Sequence, residues 1–536
     1  MRVRRGVLVA AFALVAPALV SVASPAAARV PAEDNVVTVQ VRDNVFRPSN
    51  LAVRPGTVVR WVNEGRNPHN VKPDSGRAFG SKNLAPGQSY AHRFADAGDF
   101  AYFCSLHGAP GKGQHANLVV GDDVGASDVA PVGSSDAPAP TIPASGRTVR
   151  VPADAKTVQA GVDRARPGDL VLVSPGVYRE EVTIATNGIV LRGVNRNTTI
   201  LDGEFERENG VKVLGADGVA IENLTTRNYT ENGLFWNGVL GYRASYVTAY
   251  RNGDYGIFAF DSQWGMFDHS YASGSPDSGF YIGQCDPCHA VITDVTAEYN
   301  QLGYSGTNAG GDLFIVRSVW RNNRTGIVPN SLDSEALAPQ GNAVIAGNLV
   351  ETNGSGDAAQ EDVIWDIVYG VGVVVVGGSD NQIIRNHLPG NALIGVAIVP
   401  NPGLAGGSYS GPTSSYPATG NVVRGNNVHG SSLTDLAALL VTPDDRNCFA
   451  DNDYGTSAPT NIEQVMPCEG PSVGDPGAGA LALDRFLDPE QNPAGRNYED
   501  TPVPPKQRNM ANPSKAKAKP AGTPPAVDLD SITRPS

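Results

Sequence analysis

Between residues 36 and 122 apolar and polar side chains alternate with a period of two, most clearly in Val37-Thr38-Val39-Gln40-Val41 and from Thr57 to Val62. Turn pairs at Pro55-Gly56, Pro86-Gly87 and Ala97-Gly98 divide these runs. Alternation cut by such turns predicts short strands with one buried face, a small all-β sandwich. Residues 123–147 lose the period and fill with Ser, Ala, Pro, Gly and Asp, the composition of a flexible linker. From Thr157 to Arg166 the spacing becomes helical and stops at Pro167-Gly168. A glycine followed by an apolar residue then recurs at Gly188, Gly210, Gly233, Gly256, Gly279, Gly303 and Gly326, at spacings of 22, 23, 23, 23, 24 and 23. Gly372-Val373 and Gly395-Val396 resume it after a gap of 46, two periods. A fixed period in the low twenties means a solenoid. The runs between glycines are β-branched or aromatic, and Asn232, Asn252, Asn300, Asn322 and Asn353 sit nearby. That pattern predicts a parallel β-helix, with like residues stacked on successive coils about 4.8 Å apart. The preceding helix is expected to cover the first coil's open edge. The β-helix is expected over 148–430 and a less regular continuation over 431–499. The Pro-, Lys- and Ala-rich segment 500–536 reads as a disordered tail.

Composition narrows the function. With 536 residues the chain is too long for one ordinary domain, and a net charge of −13 argues against nucleic acid or anionic membranes as partners. Arg2, Arg4 and Arg5, the apolar run from Val7 to Val22 and the small residues Ala26 and Ala28 form a secretory signal over 1–28. No other stretch is long and apolar enough to span a bilayer. The expected location is therefore secreted, extracellular or in the cell envelope, where disulfides persist.

Three residues carry the strongest chemistry. His69 follows the strand ending at Val62; Cys104 ends the apolar strand from Phe100 to Phe103; His107 comes three residues later. A thiolate with two imidazoles suits copper and stabilises both Cu(I) and Cu(II), with a weak fourth ligand tuning the potential. Residues 36–122 resemble the plastocyanin-like cupredoxins in Phe46-Arg47-Pro48, Gly56 to Asn63, Pro68-His69-Asn70 and Phe100 to His107. The resemblance implies one type 1 copper ion on His69, Cys104 and His107, with Asn70 supporting the thiolate. The family's axial Met is missing. Matching the final strand, Asn117 to Val120, puts Gln114 in its place, and His115 competes with it.

The repeat region resembles right-handed parallel β-helix proteins of the pectate-lyase-like type, through Thr157-Val158-Gln159-Ala160, Pro167-Gly168-Asp169 and Pro175-Gly176-Val177-Tyr178. It is close to the version in exported copper-processing β-helix proteins and carbohydrate epimerases. The expected fold class is thus all-β: a cupredoxin sandwich followed by a right-handed parallel β-helix solenoid. Two residues before the repeat glycines stand Glu208, Glu231, Asp254 and Asp277, then Gln301 and Arg324. In register, four acids stack. They form either a solvated turn face or a site for Ca²⁺ or a cationic ligand, and Arg324 could meet an anionic sugar. No compact catalytic motif accompanies them. Cys285-Asp286-Pro287-Cys288-His289 has the spacing of a c-type haem attachment site, but lies inside one coil, where a local disulfide or thiol pair is favoured. Cys448 and Cys468 are expected to pair, although four cysteines allow three pairings. The reading is an exported copper protein transferring single electrons to a redox partner protein or small carrier, or storing and delivering the metal. Its β-helix body binds an extended ligand such as a cell-surface polysaccharide. The rivals are a β-helix polysaccharide lyase or epimerase with an accessory copper domain, and a structural envelope protein.

Overall fold

The computed structural model describes residues 35–536 except 66, 77–78, 361–362, 404–412 and 482–491. The expected signal segment 1–28 lies outside the described residues. The alternating runs pair as anticipated. Strands β1 (Val36–Arg42), β2 (Val45–Arg47), β3 (Asn50–Val53), β4 (Thr57–Asn63), β5 (Lys72–Pro73), β6 (Ser89–Phe94), β7 (Gly98–Ala109), β8 (Lys112–Val120) and β9 (Gly125–Ser127) build two sheets, ordered β2-β1-β4-β6 and β5-β7-β8-β3-β9. Between them Trp61, fully buried, meets Tyr90, Tyr102, Phe79 and Phe94, with ring centroids 5.4 to 6.2 Å apart. This aromatic core anchors β7, which carries Cys104 and His107, and β4, whose following loop carries His69.

From Thr148 the chain winds into three parallel sheets of 12, 11 and 11 strands, one strand per sheet in each coil. Helix α1 (Val158–Arg164), N-capped by the Thr157 hydroxyl, packs Val158 and Val162 into the first coil's core. The glycine repeat has a steric cause. A Cβ on Gly210, Gly233, Gly256, Gly303 or Gly372 would stand 2.4 to 2.6 Å from the carbonyl oxygen of the next glycine in the column. Only glycine lets the coils approach this closely. The column starts at Gly210: Gly188, in the left-handed region, turns the chain before a different sheet. The 46-residue gap is one long coil, since Ile327 pairs directly with Val373. The stacked amides run Asn300, Asn323, Asn353, Asn391, each side-chain N–H donating to the next amide oxygen at 2.9 to 3.1 Å. Asn323 joins this ladder in place of Asn322.

Three boundaries shift. The solenoid does not end at 430: further strands follow at Thr434–Ala438, Cys448–Ala450, Asp453–Tyr454 and Ser457–Ala458, with Ile462–Val465 helical beyond them. The expected linker is docked, with Gly133 N–H donating to Asp261 Oδ1 at 2.8 Å and Ile142 lying against Gly188 and Gly218. The expected disordered tail is likewise packed on the solenoid. The buried Arg192 guanidinium donates to the carbonyls of Pro513, Ala516 and Lys517, and Ile532 is buried. Among the described residues no helix is long and apolar enough to cross a membrane.

Candidate metal centre and the cleft beside it

The loop after β4 is shaped by Asn63. Its amide donates to the carbonyls of Asn67 (2.9 Å) and Leu84 (2.8 Å), and its oxygen accepts from Gly65 N–H. His69 then bridges to Leu84 through two backbone hydrogen bonds. Cys104 and His107 both lie on β7, where its register with β8 shifts between Phe103 and Gly108. That irregularity turns both side chains to one side. His69 and Cys104 are fully buried and His107 is 4% exposed. The Cys104 Sγ stands 3.7 Å from His69 Nδ1 and 3.6 Å from His107 Nδ1. This is the one group of three or more potential metal ligands among the described residues.

The donor set fits copper: one soft sulfur and one imidazole on β7, and a second imidazole on a loop pinned by backbone bonds to Leu84. Cys104 is the free cysteine of the described chain. Burial pushes its thiol up, but the His107 and His69 imidazoles outweigh this and hold it well below its ordinary value. Burial likewise lowers His69, while its contacts with Asp43 and Cys104 raise it further, to about 9. Asn70 N–H donates to the sulfur at 3.4 Å, and its side chain is locked to Ser105 and Asn83. Gln114 is 1% exposed; its Oε1 lies 2.9 Å from His69 Nδ1, and its Nε2 donates to Arg42 O (2.8 Å) and Val45 O (3.0 Å). The neighbouring His115 points away, its Nδ1 2.9 Å from Gly113 O. Sequence reasoning missed Asp43, whose Oδ1 lies 3.3 Å from His69 Nε2 and orients the ring from behind. Its position in the Arg42-Asp43-Asn44 turn carries no signal of that role.

The other predicted site residues lie on the solenoid. Backbone bonds link Glu231 to Glu208, Asp254 to Glu231 and Asp277 to Asp254, so the four acids stack on successive coils. Glu231, Asp254 and Asp277 are 6 to 9% exposed, so the column is no solvated face. Burial and the charges of Glu231 and Glu181 raise the Glu208 carboxyl. Asp254 and Asp277 face the first module across a cleft that also includes Asp43, Glu64, His107 and Phe235. Gln301 is fully buried, and Arg324 is held by Asp366 at 2.8 Å and over the Tyr369 ring, 1% exposed and inside the fold. The two modules touch at the metal centre itself. Lys212 Nζ donates to Leu106 O at 2.8 Å, Asn237 Nδ2 donates to His107 O at 3.1 Å, and the His107 ring meets Phe235 edge-on at 6.4 Å. Cys285 is bonded to Cys288 and Cys448 to Cys468, so the haem-like motif has no thiols to offer.

Comparison with known proteins agrees with both modules. The cupredoxin-like domain family matches residues 8–120, and the family described as a right handed beta helix region matches residues 232–428. Plastocyanin of Scenedesmus fuscus is 38% identical over 80 residues, spanning 13% of this chain and 82% of that protein. Amicyanin of Paracoccus versutus is 35% identical over 86 residues, spanning 15% of this chain and 64% of that protein. Among solved structures, the A-module of the mannuronan C-5 epimerase AlgE4 of Azotobacter vinelandii aligns with 55% of this chain and 90% of its own, at 16% identity and a TM-score of 0.41.

Proposed function

Because the N-terminal module belongs to the plastocyanin-like cupredoxins, we propose that the chain is an exported copper protein that exchanges single electrons. His69, Cys104 and His107 would hold one type 1 ion, with the Gln114 amide oxygen beside them as a further, weak donor. When bound, copper supplies a one-electron couple between Cu(II) and Cu(I). The chain's own residues do the remaining work. Asn70 N–H stabilises the thiolate, Asp43 fixes the His69 ring, and the aromatic core keeps the donors in place and water out. The observation that carries this reading is the convergence of the two Nδ1 atoms on the buried Cys104 sulfur.

The solenoid is the body of the protein, and in this reading it binds an extended ligand such as a cell-surface polysaccharide on a face away from the first module. The lyase or epimerase alternative would need the stacked acids to meet a polymer. Asp254 and Asp277 instead face the cupredoxin module, and Arg324 is committed to Asp366. Voltammetry of the copper-loaded full chain tests the electron-transfer reading: a reversible one-electron wave is expected, absent in Cys104→Ser. A bound ion giving no wave would leave storage or delivery of the metal as the function.

A further inference from the structure

The docked tail is basic although the protein is acidic. From Thr501 to Val527 it carries Lys506, Arg508, Lys515, Lys517 and Lys519 and no acid, in a chain of net charge −13. The solenoid holds this segment mainly by its backbone. Asn197 exchanges two hydrogen bonds with the Gln507 main chain, each 2.8 Å, and Asn223 Oδ1 accepts from Met510 N–H at 2.9 Å. Arg196 donates to Arg508 O at 3.2 Å, and Arg243 to Lys519 O at 2.7 Å. Arg192 donates to Pro513, Ala516 and Lys517 carbonyls at 2.6 to 3.2 Å. Small residues face inward: Ala521, 3% exposed, and Ala518 pack on Leu170, Leu172, Val190 and Ala220. All five basic side chains are exposed.

This arrangement works against itself electrostatically. Under the five exposed cations lie Arg192 and Arg196, both buried, and the half-buried Arg243. The neighbouring acids are already committed. Glu222 is shared by Arg192, at 2.6 Å, and Arg243. Asp268 faces His269 at 2.8 Å and accepts from Ser245, and Asp294 accepts from Thr293 Oγ1 at 3.0 Å. Among the described residues no carboxylate pairs with Arg196 or with any of the five exposed cations. A fold that pins like charges together breaks its own electrostatic rule, which is expected where a surface has a function, and a ligand of opposite sign relieves it.

We propose that the docked tail is a binding strip for a linear polyanion, one with carboxylate or phosphate groups at intervals along an extended chain. Lysine suits such a polymer, since a point charge on a flexible stem meets successive anions without a fixed geometry. The strip crosses the 12-stranded sheet that holds Arg192, Glu222 and Arg243. The first module lies against the sheet that holds Lys212, Phe235 and Asn237, so polymer and module occupy different faces. The proposal rests on the solenoid being the body that binds an extended ligand, and gives that ligand its charge and its place.

Calorimetric titration of the metal-free full chain tests this independently of copper. It is run at about 0.1 M salt, where charges more than about 10 Å apart are screened. The probes are polygalacturonate, inorganic polyphosphate and neutral dextran. Binding of a polyanion but not of dextran is expected, and the tighter of the two polyanions assigns the anion. Lys515→Gln with Lys517→Gln and Lys519→Gln should weaken that binding by about tenfold or more. The melting temperature should not move, because the outward side chains make none of the bonds that hold the tail. Arg54→Gln with Arg60→Gln and Lys82→Gln, exposed on the first module, removes the same charge and should weaken binding less than about twofold. Equal weakening by this second set would reduce the effect to net charge and overturn the proposal. Polyanion binding that the lysine variant leaves unchanged, or dextran binding as tightly as the polyanions, would overturn it while leaving the solenoid as a ligand-binding body. Binding of no polymer would overturn both.

Discussion

Truncating Gln114 separates the two candidates for the fourth position of the metal centre. In Gln114→Ala the Arg42 and Val45 carbonyls each lose a donor, at 2.8 and 3.0 Å, in a site 1% exposed. At about 1 kcal/mol for each bond, plus about 1 to 2 kcal/mol for the space left by the side chain, the metal-free first module should lose about 3 to 4 kcal/mol. Cys104 offers a direct assay, because it is the free thiol of the described chain and is buried. Its reaction with a thiol reagent reports opening of this module alone. A loss of that size predicts labelling roughly 100- to 700-fold faster, at about 1.4 kcal/mol for each factor of ten. In the copper-loaded protein the same change would remove the Gln114 oxygen, a weak donor to the ion, and should raise the potential. His115→Ala, at a side chain turned away from the site, should shift stability by no more than about 0.5 kcal/mol and leave the potential alone. If the two variants exchange these behaviours, or Gln114→Ala labels at the wild-type rate, the assignment of Gln114 is refuted.

Three further outcomes follow from the solenoid. Gly303→Ala puts a methyl group 2.6 Å from the Gly326 carbonyl oxygen and should lower stability by about 1 to 3 kcal/mol or more, read from urea unfolding by circular dichroism. Asp366→Asn leaves the buried Arg324 charge without its carboxylate and should cost about 3 to 5 kcal/mol in the same assay; a change under about 1 kcal/mol would contradict the pairing. Asp261, which receives the linker's Gly133 N–H, keeps some exposed surface, yet the protein around it pushes its carboxyl up to about 7. The folded state therefore holds a proton there that the unfolded chain releases near pH 4. This contribution to stability is complete below pH 4 and is lost as pH rises through 7. Melting temperature against pH should show that fall in the wild type, and Asp261→Asn should flatten it.

Much of this architecture was legible because the same physical demand recurs at fixed spacing. Each column glycine from Gly210 to Gly395 answers to a neighbouring coil, so the period survives in the sequence. Gly188 matched by coincidence: it is needed for a left-handed turn and for the docked Ile142, whose Cγ2 a Cβ there would meet at 2.4 Å, and not for the carbonyl of a neighbouring coil. Asn322 and Asn323 are adjacent, and only the fold tells which one points into the ladder. Cys104 and His107 were readable because one strand sets their separation. Asp43 and the Gln114 anchors depend on a turn brought in from β1 and β2. The docked linker and tail were hidden for a different reason. Their own side chains show no apolar period, and much of what the solenoid recognises in them is backbone, as Arg192 does at Pro513, Ala516 and Lys517. The contact between modules left no trace either, since Lys212, Phe235 and Asn237 look like ordinary members of their repeats.

Copper on the Cys104 thiolate would be visible in the optical and electron paramagnetic resonance spectra of the protein with one equivalent of Cu(II), repeated with Cys104→Ala. An intense blue absorption with a narrow copper hyperfine splitting, lost in the variant, is the result expected of a thiolate held between His69 and His107. A pale spectrum that the substitution does not alter would mean that copper binds elsewhere, and would contradict the account.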